Sequence, residues 1–289
     1  MPHLFIFGLG YSAGFLARDL RAAGWEVSGT CRDQAQAELL TSTGIKTTVF
    51  DQDHPLVDIS QTLIGVTHIL SSVPPNAEGD PVLDVHGPAL AGLAEQLSWV
   101  GYLSTIGVYG DRQGGWVDED SELRPVGERG ERRVQAEQGW LSLHERHQLP
   151  VHIFRLAGIY GPGSSALERV RAGTARRIVK EGQVFSRIHV EDIAQTLIAS
   201  MADPNPGRVY NVCDDEAVPP QDVVTHAAAL LGVEPPPLTP IEEAGLSPMG
   251  LSFYGESKRV HNKRITDELG VTLKYPTYRE GLASLMHST

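Results

Sequence analysis

Four apolar residues, Leu4-Phe5-Ile6-Phe7, run directly into Gly8-Leu9-Gly10-Tyr11-Ser12-Ala13, and no other stretch restricts the chain so tightly. A short unbroken apolar run reads as a strand buried on both faces. Ala13, Leu16, Ala17 and Leu20 then recur at helical spacing until Gly24 closes the helix. The turn between strand and helix has the spacing G-x-G-x-x-A, and each small residue has a mechanical task. Gly8 permits the tight turn, Gly10 lets backbone approach a pyrophosphate, and Ala13 lets the helix pack close to the strand. The free N–H groups and positive dipole end of the helix face the same spot. Gly8, Gly10, Tyr11, Ser12 and Ala13 are therefore candidate cofactor-binding residues. The alternative, a glycine turn with no ligand, is weakened by the complete βαβ unit around it.

The same rhythm continues. Strands fit Trp25 to Thr30, Lys46 to Phe50, His68 to Leu70, Val100 to Ser104 and Val151 to Leu156. Between them, helices fit from Asp33 to near Gly44, Val82 to Leu97 and Glu131 to His147. Strands alternating with helices imply parallel βαβ units. The expected fold is α/β, a Rossmann-type doubly wound parallel sheet with a smaller C-terminal substrate lobe. Glycine and proline become denser after Gly158, which divides the chain into a dinucleotide-binding domain over 1–157, rejoined by 187–213, and a lobe from 158–186 and 214–289.

Composition narrows the class. With 24 Lys+Arg against 36 Asp+Glu the formal charge is −12, which argues against a protein whose task is to grip nucleic acid. No apolar run reaches the roughly 18 residues of a spanning helix. The apolar start lacks a basic flank and is broken by glycines, so it suits a strand better than a signal peptide. Two cysteines outside any C-x-x-C pair point to a reduced, cytoplasmic setting. His144 and His147 lack the H-E-x-x-H spacing and a third ligand, so no metal is expected.

The end of the second strand bears on which dinucleotide is bound. An NAD site usually carries Asp or Glu there for the ribose 2′-OH. This chain reads Val27-Ser28-Gly29-Thr30-Cys31-Arg32, with no acid before Asp33. Arg32 offers a charged fork for a 2′-phosphate and Thr30 a hydroxyl, so NADP(H) is favoured over NAD(H). Arg32 as a solvated loop residue is the competing reading. Asp51, just past the third strand, has two readings, a contact to the adenine amino group or a turn aspartate. Ser72 and Val73 follow the fourth strand, where a parallel sheet presents ligand-binding backbone, and are expected to line the cofactor trough.

Together with the glycine loop, further segments carry a resemblance: Leu103-Ser104-Thr105 with Val108-Tyr109-Gly110-Asp111, Phe154-Arg155-Leu156-Ala157-Gly158-Ile159-Tyr160-Gly161-Pro162-Gly163, Arg187 to Ala194, and Tyr210-Asn211-Val212. In this order they resemble the extended and atypical short-chain dehydrogenase/reductases of the NAD-dependent epimerase/dehydratase superfamily. The resemblance implies a Tyr-x-x-x-Lys pair on the helix after the fifth strand, assisted by a Ser/Thr at the strand end. Ser104 and Thr105 supply the latter. Where the pair belongs, the chain reads Gly127-Glu128-Arg129-Gly130-Glu131-Arg132-Arg133. Arg129 and Arg133 keep the spacing, but arginine stays protonated and cannot act as a neutral-pH acid or base.

Tyr109 is the other phenol near the serine; it is either a proton carrier or packing beneath the loop. Tyr254-Gly255-Glu256-Ser257-Lys258 spells the pair some 120 residues too late. There Tyr254 and Lys258 are read as substrate-lobe residues, with Lys258 or Arg259 holding an anion, or as plain surface. Arg129 and Arg133 are either substrate-anion ligands or a solvated helix face. The expected function is an NADP(H)-binding oxidoreductase or epimerase/dehydratase-like enzyme acting on a small anionic or sugar-type substrate. A non-catalytic NAD(P)-binding sensor or scaffold is the alternative. The resemblance also implies a homodimer through the helices near 82–97 and 131–147.

Overall fold

A computed structural model describes residues 1–286. The first 105 residues keep the expected alternation of strand and helix, with one short helix at 59–62 that the sequence did not suggest: β1 (His3–Phe7), α1 (Tyr11–Ala22), β2 (Glu26–Cys31), α2 (Gln34–Ser42), β3 (Lys46–Val49), α3 (Ile59–Thr62), β4 (His68–Ser71), α4 (Pro81–Ala91) and β5 (Trp99–Thr105). Every residue of β1 is buried, as its unbroken apolar run requires. Asp33 caps α2 by accepting the Gln36 N–H at 2.8 Å. α4 is shorter than the apolar spacing suggests. It starts at Pro81 under an Asp80 cap and stops at Gly92, after which Leu93 to Leu97 form successive turns.

From Ile106 the chain builds β6 (Trp116–Val117), α5 (Gly127–His147), β7 (Val151–Leu156), β8 (Gly158–Tyr160), α6 (Ala166–Arg171), β9 (Arg177–Val179), β10 (Arg187–His189) and α7 (Val190–Ala202). It ends with β11 (Val209–Val212), α8 (Pro220–Leu231), β12 (Leu238–Pro240), α9 (Pro248–Tyr254), β13 (Arg259–Val260), α10 (Lys263–Leu269) and α11 (Tyr278–Ser284). Among the described residues no helix is long and apolar enough to cross a membrane.

One sheet of seven strands has the order β11-β7-β5-β4-β1-β2-β3. The pairs β3–β2, β2–β1, β1–β4 and β4–β5 are parallel. The order turns back on itself beside β1, and ligands of such sheets bind at the carboxyl ends of the strands at that point. Phe5, Phe7, Ile69, Val100, Tyr102, Trp140 and Ile153 belong to the core on this sheet.

The chain divides into two compact units. The first holds residues 1–105, 127–155 and 193–210, and the second holds 106–126, 156–192 and 211–289. The second has its own core, including Tyr160, Leu167, Val223, Ala227, Tyr278 and Leu282. Segment 106–126, expected in the dinucleotide domain, groups with the second unit because β6 pairs in parallel with β13 and Ser257 O accepts the N–H groups of Arg112 and Gly114. Strands of two or three residues such as β6 and β13 are too short for alternation to reveal.

Candidate functional site

The glycine loop of the first unit is clamped from two sides. Gly8 has φ +85°, a region that L side chains rarely enter. A Cβ there would also lie 3.1 Å from Ser72 Oγ and 3.2 Å from Val73 Cγ2. On one side Gly8 N–H donates to Thr30 Oγ1 at 3.0 Å and Leu9 N–H to Thr30 O at 2.7 Å. On the other, Ser72 Oγ donates to Gly8 O at 2.6 Å. Gln36 Nε2, from the first turn of α2, adds a bond to Leu9 O at 3.1 Å. Ser72 and Val73 thus flank the loop at the carboxyl end of β4, beside β1.

The same loop leaves room for a pyrophosphate. Gly10 is the N-cap of α1, no side chain caps the first turn, and that turn carries no acidic residue. Where a Gly10 Cβ would stand, the nearest atom is Gly8 O at 4.0 Å, so backbone can be approached closely. Ala13 and Ser12 are buried under the helix, and Tyr11 is exposed with its ring edge-on to Phe15. An uncapped helix start of this kind fits a dinucleotide diphosphate.

Two of the proposed cofactor contacts change role. Thr30 is only 1% exposed and its hydroxyl accepts the Gly8 N–H, so it shapes the loop from behind and does not reach out to a 2′-phosphate. Asp51 is a turn aspartate: its Oδ1 accepts the N–H groups of Asp53 and His54 and meets His54 Nδ1 at 2.8 Å. The His54 hydrogen bond holds its carboxyl below the usual range. Arg32, in contrast, is exposed beyond the end of β2 and has no hydrogen bond or ion pair among the described residues. Its neighbour Asp33 is already committed to the α2 cap.

The end of β5 is organised by a buried carboxylate of α5, which the sequence suggested only as part of a solvated helix face with Arg129 and Arg133. Glu137, 2% exposed on α5, accepts Arg155 Nη2 at 2.8 Å and Arg155 Nε at 3.1 and 3.2 Å. Ser104, 5% exposed, donates its hydroxyl to Glu137 Oε1 at 2.5 Å. The expectation that Ser104 orients a substrate is therefore corrected, because its Oγ points into the interior. Thr105, the last residue of β5, is only partly buried. An arginine within the buried run Val-His-Ile-Phe-Arg-Leu was the signal that a buried acid had to exist.

Arg133 is also largely spent internally. Its Nη1 donates to Tyr102 Oη and to Leu103 O, both at 2.9 Å, and its guanidinium stands 5.7 Å from the Tyr102 ring. It ties α5 to β5, which corrects its reading as a substrate ligand. Arg129, one turn earlier, is exposed. Burial pushes the Tyr102 phenol pKa up, so that group stays protonated.

In the second unit Tyr109 is fully buried, and its hydroxyl donates to Asn211 Oδ1 at 2.7 Å. That corrects its reading as a catalytic phenol. Lys258 is also buried, with Nζ 2.5 Å from Glu256 Oε2, so it is no open anion ligand. Ser257 beside it bonds Asp111, Gly182 and Val184, which makes the Tyr-Gly-Glu-Ser-Lys segment a packing hub. Arg259 donates to Gly114 O. Tyr254 ends α9 half-buried, with its ring edge-on to Phe185 at 5.4 Å. Burial raises its pKa, while Arg187, Arg176 and Arg169 pull the other way.

Known proteins fall in line with this architecture. The chain is 30% identical to protein YeeZ of Escherichia coli K12 over 288 residues, covering 96% of this chain and 97% of YeeZ. A conserved protein of unknown function from Silicibacter pomeroyi DSS is 51% identical, with TM-score 0.92 over 100% of this chain and 99% of that one. The dTDP-glucose 4,6-dehydratase of Bacillus anthracis str. Ames, solved in complex with NAD, shares the fold at TM-score 0.78 and 16% identity, covering 99% and 95% of the two chains. The profile of the NAD dependent epimerase/dehydratase family matches residues 8–213. By that match, which spans well over half of the chain, the protein belongs to the NAD dependent epimerase/dehydratase family.

Proposed function

We propose that the protein is an NADP(H)-dependent oxidoreductase or epimerase/dehydratase-like enzyme acting on a small anionic or sugar-type substrate. The observation that carries the cofactor preference is Arg32. It is an exposed and unpaired guanidinium just past the end of β2, and the adjacent Asp33 is occupied as a helix cap. The uncapped start of α1, with Gly8, Gly10, Ser72 and Val73, would hold the diphosphate, and the bound nicotinamide would supply a hydride acceptor or donor. Titration with NADPH and NADH, followed by nicotinamide fluorescence, tests this. Arg32→Ala is expected to weaken NADPH roughly ten- to a hundredfold, the worth of one charge-assisted contact, and to leave NADH nearly unchanged. Equal affinities for both cofactors in the unaltered protein would remove the preference.

In this reading Thr105, the strand-end hydroxyl that is only partly buried, orients the substrate oxygen, and the displaced proton passes to water. Ser104 and Arg133 hold β5 and α5 in place around it. A non-catalytic dinucleotide sensor is the second reading, favoured by the inward-facing Ser104 and by Arg129 at the usual tyrosine position. Thr105→Ala separates the two. It abolishes turnover in an enzyme and leaves dinucleotide affinity unchanged under either reading.

The reading extends to a reducing, cytoplasmic setting, supported by two buried free thiols, Cys31 and Cys213. It also extends to a homodimer through α4 and α5, supported by a groove of about 620 Å³ lined by Leu83, Gly87, Ala91, Ala136, Gly139 and Leu143.

A further inference from the structure

The helix that follows Arg32 opens in a way its own sequence does not dictate. Asp33 and Gln36 have the spacing of a capping box, in which the third helical residue turns its side chain back to the N–H of the cap. At α11 the box closes in that way, with Glu280 Oε2 accepting the Thr277 N–H at 3.1 Å. At α2 the first half forms, the Gln36 N–H donating to Asp33 Oδ1 at 2.8 Å. The Gln36 side chain, however, turns away from the cap. Its Nε2 donates to Leu9 O at 3.1 Å, 27 residues earlier in the chain.

That bond needs an amide. A carbonyl oxygen only accepts, so a donor has to face it, and a glutamate in the same place would oppose it with a second acceptor. For the helix alone glutamate is the better residue, because its charge suits the positive end of the dipole and its oxygen completes the box. Past the Asp33 cap, the first turn of α2 nevertheless carries no acidic side chain. Glutamine at position 36 is turned to the glycine loop rather than to its own helix.

The bond also closes a ring around Arg32. Before Arg32 the glycine loop is tied to Thr30, whose O accepts the Leu9 N–H at 2.7 Å and whose Oγ1 accepts the Gly8 N–H at 3.0 Å. After Arg32 it is tied again, to Gln36. Inside the ring Cys31 Sγ donates to Asp33 O at 3.2 Å. Leu9 therefore has its N–H fixed on one side of Arg32 and its C=O on the other. The next N–H, of Gly10, donates to Gly8 O at 2.7 Å. Both polar ends of the Leu9–Gly10 peptide are held, and that peptide leads directly into the uncapped start of α1.

We propose that Gln36 is a positioning residue of the cofactor site, coupling the 2′-phosphate contact of Arg32 to the loop that receives the diphosphate. A guanidinium on an exposed segment gives up conformational entropy when it engages a ligand, and a closed ring removes part of that cost beforehand. The proposal rests on the reading that Arg32 holds the 2′-phosphate of NADP(H). It adds that the preference belongs to Arg32 and Gln36 jointly, so that neither keeps its full effect without the other.

Two substitutions test it. Gln36→Met keeps length and helix propensity and removes the donor, whereas Gln36→Glu puts an acceptor in its place and favours the helix. Each variant of the whole protein is titrated with NADPH and with NADH, followed by nicotinamide fluorescence. Urea midpoints measured without cofactor separate a weakened helix from a lost brace, since the helix term favours Gln36→Glu. NADPH should weaken about tenfold in both variants and NADH about threefold, so that the preference shrinks. In the Gln36→Met background Arg32→Ala should cost NADPH binding about threefold less than it does in the unaltered protein, because the two positions are coupled. Equal loss of both dinucleotides, or additive effects of the two substitutions, overturns the proposal. Weakening confined to Gln36→Glu also overturns it, because the added charge then accounts for the loss. If the unaltered protein binds neither dinucleotide, the cofactor reading falls and takes this proposal with it. NADPH-selective binding that Gln36→Met leaves intact ends the proposal alone.

Discussion

Glu137 accepts Ser104 and the Arg155 fork while almost wholly removed from water, so its loss strands a guanidinium inside the protein. Breaking one partner of such a pair costs about 3–5 kcal/mol. Glu137→Ala is therefore expected to shift the urea midpoint far more than Ser104→Ala, which removes one hydroxyl bond worth about 1 kcal/mol. If Thr105 is the working hydroxyl, Ser104→Ala keeps most of the turnover, and a steady-state assay checks it. The sequence made the glycine loop plain because a positive φ and a close backbone approach admit almost nothing but glycine. It could not reveal which way Ser104 and Tyr109 point. Tyr109 is turned inward by the 3-10 turn of Ile106–Tyr109 onto Asn211, about 100 residues away, and local spacing carries no trace of that partner.

At the scale of elements, three strands of the central sheet bury histidines: His3 on β1, His68 on β4 and His152 on β7. Burial lowers the pKa of each, to about 4 for His68 and His152. The sign follows directly. Above the unfolded value near 6.5 both states are neutral and the fold keeps its full stability. As pH falls from 6.5 towards 4, the unfolded chain takes up protons that the fold refuses, and stability declines. The urea midpoint should drop across that window, and His152→Phe should flatten the slope while keeping the stack on Trp99. A slope identical in the variant would exclude His152 from the effect. β1 was legible because double-sided burial writes a continuous apolar run. The end of α4 was not, since apolar spacing continues to Leu97 while Gly92 stops the helix. The short pairs β6–β13, β8–β10 and β9–β12 were equally hidden, because two or three residues carry no period.

For the whole molecule, the homodimer reading makes its own claim. Ala91→Arg on the groove between α4 and α5 should turn a two-chain species into a one-chain species in sedimentation equilibrium. A single-chain mass for the unaltered protein would end that reading. The parallel sheet could be inferred from the βαβ rhythm, because strands joined through helices pair in parallel. The assignment of 106–126 could not, because its pairing partner lies beyond residue 250. That same assignment bears on synthesis. The chain passes between the two units five times, so neither corresponds to a contiguous stretch of gene. The seven-stranded sheet lacks its outermost strand until β11 at Val209–Val212 has left the ribosome, and the core of the second unit waits for Tyr278 and Leu282. A truncated message would yield no self-sufficient half, and an evolutionary exchange of one unit for another would need three simultaneous splices rather than one.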